Sequence, residues 1–80
     1  MQDKDVLDHI EGLVNEEHRL MRKSEDGQGS ADDHARMREL QVSLDRAWDL
    51  LRQRRAMRDR GENPDDAMER STKTVEGYEQ

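Results

Sequence analysis

Met37-Arg38-Glu39-Leu40-Gln41-Val42-Ser43-Leu44-Asp45-Arg46-Ala47-Trp48-Asp49-Leu50-Leu51, residues 37–51, decides the fold. Met37, Leu40, Leu44, Ala47 and Leu51 recur at alternating intervals of three and four. That spacing lines up one stripe of a helix and packs it against another helix. Val42, Trp48, Leu50 and Met57 widen or flank the stripe. The pattern predicts a helix from about Ala31 to Arg60. Ser30-Ala31-Asp32-Asp33 supplies its start, a serine that can cap a backbone N–H with a carboxylate three residues on. Gly61 supplies its stop, and the cations before it suit the negative end of the helix dipole.

Upstream, Val6, Leu7, Ile10, Leu13, Val14, Leu20 and Met21 trace a second stripe, in which Glu17 holds one apolar position. They predict a first helix from about Lys4 to Lys23, with Asp3 and Asp5 at its positive end. Ser24-Glu25-Asp26-Gly27-Gln28-Gly29 separates the two helices as a turn. Downstream, Asn63-Pro64-Asp65-Asp66 reads as another cap, with Pro64 at the first position of a short helix over about 64–70. The organisation expected is a helical hairpin over residues 1–61 and an acidic tail over 62–80.

Composition limits what such a chain can be. Its 80 residues carry a net charge of −6; 42% are charged and 30% apolar, with one Trp, one Tyr and neither Phe nor Cys. That is one domain at most, and composition alone would permit disorder; periodicity overrules it. No apolar run approaches the roughly 20 residues of a membrane span, and the N-terminus lacks the features of a secretory signal. A cytoplasmic location without membrane association is expected. Without cysteine there is neither a disulfide framework nor a thiolate zinc site. Charge is segregated: five arginines against one acid lie in residues 52–60, and six acids against two bases in 61–80.

Two helices joined by a short turn pack antiparallel, with facing residue numbers totalling about 54. Val6 then lies near Trp48, and Asp3 faces Leu51. Trp48 is expected in the core, against Val6 and Leu7. The second helix outruns the first by roughly 14 Å at 1.5 Å per residue. That overhang holds Arg52, Arg54, Arg55, Arg58 and Arg60. One interface is a narrow core, and the first stripe is wider than one partner helix covers, so a homodimer of four helices is expected. The acidic tail can fold back over the arginines, within a chain or across the dimer.

The candidate site is a docking face for a protein partner on the second helix: Leu50, Leu51, Arg52, Arg54, Arg55, Met57 and Arg58. Arginine's planar fork suits carboxylates and phosphates, so nucleic acid or a ribosome is the alternative partner. The plain reading is a solvated helix end neutralised by Asp59, Glu62 and the tail, with the stripe fraying at Arg54. No metal, cofactor or catalytic site is expected. His9, His18 and His34 do not assemble a ligand set, although Asp5 and His9 share a face. The carboxylate pairs Asp45 with Asp49 and Asp32 with Asp33 lack a pocket that could desolvate them.

Leu44-Asp45-Arg46-Ala47-Trp48-Asp49-Leu50-Leu51-Arg52-Gln53-Arg54-Arg55-Ala56, Asn63-Pro64-Asp65 and Val75-Glu76-Gly77-Tyr78, with the opening Asp3-Lys4-Asp5-Val6-Leu7, resemble the small actinobacterial proteins catalogued as domain of unknown function family 2630. The resemblance covers nearly the whole chain and implies an intracellular helical protein; it brings no activity with it. Glu39, Ser43 and Arg46 are also similar to the opening of a helical motif in coiled-coil anti-sigma factors that bind cyclic di-GMP. Leu50 and Arg54 stand where that motif has glutamine and aspartate.

Overall fold

The structure, a computed structural model, describes residues 2–69. They form two helices, α1 (Asp3–Glu25) and α2 (Ala31–Asp59), followed by a single 3-10 turn at Pro64–Asp66. The described residues contain no strand. The all-α antiparallel hairpin with a longer second helix is therefore the observed architecture. Residues 70–80, and with them the far end of the short helix expected over 64–70, lie outside the described residues.

Local chemistry sets the helix ends. The Asp5 carboxylate accepts the Gln2 backbone N–H at 2.8 Å where α1 begins. At the start of α2 the exchange is reciprocal: Ser30 Oγ accepts from Asp33 N–H, and Asp33 Oδ2 accepts from Ser30 N–H, both at 3.1 Å. Both helices stop at a glycine with φ +76°, Gly27 and Gly61, a left-handed backbone that side chains with a Cβ disfavour. After each, two N–H groups turn back onto the last carbonyls. Gln28 bonds Lys23 and Gly27 bonds Ser24; Glu62 bonds Met57 and Gly61 bonds Arg58.

The core is the seam between the helices. Val6, Ile10 and Leu13 of α1 meet Leu40, Leu44, Ala47, Leu50 and Leu51 of α2, with Val14, Leu20 and Ala67 packed at the edge. Polar pairs bridge the helices along their length. Arg36 donates through Nε and Nη2 to the two oxygens of Glu16, at 2.6 and 3.0 Å. Gln41 donates to Glu17, and Lys23 pairs with Asp33 at 2.8 Å. Glu17, the charge on the apolar stripe, thus has its partner across the seam.

Two expectations are corrected. Trp48 lies outside the core, 42% exposed. The small Ala47 takes the seam position where the helices approach, which turns its larger neighbour onto the flank. The stripe also does not fray at Arg54, whose side chain is buried with the seam. After Gly61 the chain reverses along α2. A single 3-10 turn forms there, closed by the Ala67 N–H on Pro64 O, and α2 side chains hold the segment by its carbonyls: Arg54 donates to Pro64 O, and Gln53 to Met68 O at 2.8 Å. Arg46 pairs with Glu69 at 3.1 Å. The expected fold-back of the acidic segment therefore occurs within one chain over residues 62–69.

Candidate docking surface

The second half of α2 has two unlike sides. One meets α1 and the returning segment, and Arg54 is its centre. Its Nε donates to Asp3 Oδ1 at 2.8 Å, and its Nη1 to Pro64 O and Asp65 Oδ1, both at 3.1 Å. Arg58 Nη2 reaches the same Asp3 oxygen at 2.9 Å. The Arg54 guanidinium, then that of Arg58, holds the Asp3 carboxyl below the usual carboxylate range. Hydrogen bonding from Arg54 likewise lowers Asp65, and Asp3 first, then Asp65, raises Arg54. Asn63 Oδ1 accepts the Asp65 N–H at 3.0 Å, which fixes the turn presenting that carboxylate. Asp3 reaches Arg54 and Arg58, one and two turns beyond the expected Leu51. This one cation ties the start of α1, α2 and the returning segment together.

The sequence-derived docking face therefore divides. Leu50 and Leu51 belong to the core and Arg54 to the buried junction; none of the three is available to a partner in this fold. Met57 is half-buried. Arg58 is exposed but engaged with Asp3. Arg60, outside the proposed face, forks onto Glu62 at 3.1 Å. Arg52 and Arg55 are exposed and make no ion pair among the described residues. They stand four and seven positions after Trp48, so the three share one face of α2.

Each of the two carboxylate pairs named from the sequence has one member engaged in the fold. Asp49 is buried and accepts from Gln53 Nε2 at 2.9 Å. Asp33 caps α2 and pairs with Lys23. Asp5, Val6, His9, Ala47, Leu50 and Glu69 line a small apolar cleft where the returning segment meets the hairpin. Among the described residues no three His, Asp or Glu side chains come together as a metal site. No helix of the described residues is long and apolar enough to cross a membrane.

The family described as "Protein of unknown function (DUF2630)" matches residues 2–80. The chain belongs to this DUF2630 family. Uncharacterized proteins of Mycobacterium tuberculosis and Mycobacterium bovis are 42% identical to it over 77 residues, covering 95% of this chain and 88% of theirs. No solved structure is significantly similar to it.

Proposed function

We propose that this protein is a small non-enzymatic interaction module of the cytoplasm that docks an acidic protein segment on the flank of α2 formed by Trp48, Arg52 and Arg55. The observation that carries this reading is the pairing of an exposed tryptophan with two exposed arginines that have no ion pair among the described residues. Tryptophan and arginine are the residue types that most often dominate binding energy. Arginine forks match carboxylates, and the indole accepts an apolar anchor. A non-catalytic role is supported by the engagement of Asp33 and Asp49 in capping and side-chain pairing.

The chain has a single tryptophan, so its fluorescence reports directly on this flank. Titration with a synthetic peptide rich in Glu and Leu is expected to shift the Trp48 emission to the blue. The shift is expected to vanish in the double variant Arg52→Glu, Arg55→Glu. A response only to a single-stranded oligonucleotide, falling steeply with salt, would move these arginines onto phosphate instead. No response to either probe would leave the flank a solvated surface.

A further inference from the structure

We infer that α1 is a self-association surface, on which a second copy of this chain packs antiparallel with Val14 opposite Val14. Val6, Ile10 and Leu13 are already buried against α2. The hairpin leaves a second apolar row on the adjacent flank. Leu7, Val14 and Met21 recur there at intervals of seven; Leu7 is 42% and Met21 43% exposed, and Val14 is half-buried at the core's edge. Seven residues is close to two helical turns, so the row runs nearly straight for about 21 Å. It is also symmetrical about Val14. Turning the second copy end for end sets Leu7 against Met21 at both ends and Val14 on itself, an isologous contact.

The charges beside the row select this orientation. Lys4, Glu11, His18 and Glu25 also recur every seven residues, are exposed, and flank the row on its side away from α2. In the antiparallel pairing Lys4 faces Glu25 and Glu11 faces His18, so every carboxylate meets a donor. In a parallel pairing the two copies of this flank would lie on opposite sides of the interface, so Lys4, Glu11, His18 and Glu25 would lose these complementary partners. The present partner of Lys4 is Asp8, 3.5 Å away with both side chains exposed, a weak pair that is readily exchanged. At the receiving end, His18, Met21, Arg22 and Glu25 line a shallow depression where Leu7 and Lys4 of the second copy would sit. Two hairpins joined this way form a four-helix arrangement and enlarge a core that is one narrow seam in the single chain. This inference does not rest on the Trp48 flank, whose residues belong to α2.

The absence of cysteine allows introduced thiols to report the geometry without interference. Val14→Cys is expected to cross-link to itself. Leu7→Cys and Met21→Cys are each expected to remain uncross-linked alone and to join one another when mixed. Light scattering is expected to give twice the 9.4 kDa chain mass, and at about 0.1 mM this assembly is expected to persist. Leu7→Glu with Met21→Glu is expected to give a monomer whose circular dichroism remains helical. Glu25→Lys is expected to weaken association about three- to tenfold, and adding Lys4→Glu to restore it. Self-cross-linking of Leu7→Cys, a native chain of monomeric mass at that concentration, or a dimer that survives the double Glu substitution would overturn the inference.

Discussion

The seam around Leu40 and Leu51 and the junction around Arg54 belong to one helix interface and are almost equally buried: Leu51 is 1% exposed and Arg54 3%. They are held by different physics. The seam excludes water from branched aliphatic side chains, which contributes in proportion to area and is indifferent to direction and largely to pH. The junction places one guanidinium among Asp3, Pro64 and Asp65, each contact needing its own geometry. A buried ion pair adds little net stability over an apolar substitute, but it is costly to break from one side. The seam therefore supplies the adhesion, and the junction sets where α1 begins and where the chain returns.

The sharpest break in this comparison is to shorten one side chain on each side of it. Leu51→Ala is expected to cost about 2–5 kcal/mol, the range for a leucine removed from a packed core. Chemical denaturation at fixed chain concentration reads it directly. Arg54→Ala is expected to lower the Tm by several degrees, and to do so through a different part of the molecule. Amide exchange over residues 62–69 should rise well before exchange in the Leu40–Leu51 segment does. Arg54→Met is expected to recover much of the Tm but not the protection of the returning segment, because methionine fills space without donating to Pro64 O. If Arg54→Met restored both, the junction would be packing rather than direction.

Acid separates the two regions next. Asp3 and Asp65 have carboxyls lowered in the fold by Arg54. Between the folded and the ordinary carboxylate values, the unfolded chain binds more protons than the folded one. The stabilisation is thus complete above the ordinary carboxylate range and is lost as pH falls through it toward the lowered values. Glu16, beside Arg36, behaves in the same direction. Asp3→Asn is expected to flatten the acid limb of a stability profile, and Leu51→Ala to shift the whole profile down without changing its slope.

How much of this could be read from the residues follows the same division. Capping and turn chemistry are local, so Ser30 with Asp33, Gly27 and Gly61 were legible within a few positions of themselves. The seam was legible because its period is carried by the side chains that form it. Continuing that alternation of three and four from Leu51 reaches Arg54, so its inward position was present in the pattern. Its partners were not: Asp3 and Asp65 stand 51 and 11 residues away, and only closure of the fold chooses them among twenty acids. Trp48 went the other way. The hairpin register argued for the core by setting it opposite Val6, whereas the period assigned the inward place to Ala47, which is 1% exposed.

That last contrast yields the smallest expected effect and the one most informative about function. Trp48→Ala removes the largest side chain in the molecule, yet it is expected to change stability by less than about 1 kcal/mol, since the indole is 42% exposed. Two contributions oppose one another. Losing the indole's contacts on the flank of α2 destabilises, while alanine is the better helix former by up to about 0.7 kcal/mol. A near-neutral Trp48→Ala beside a damaging Leu51→Ala, three positions along the same helix, would mean that the tryptophan contributes little to the fold of the single chain. Its retention on the surface beside Arg52 and Arg55 would then be better explained by contact with a partner. A loss comparable to that of Leu51→Ala would instead make Trp48 a structural residue and remove the anchor of the proposed docking face.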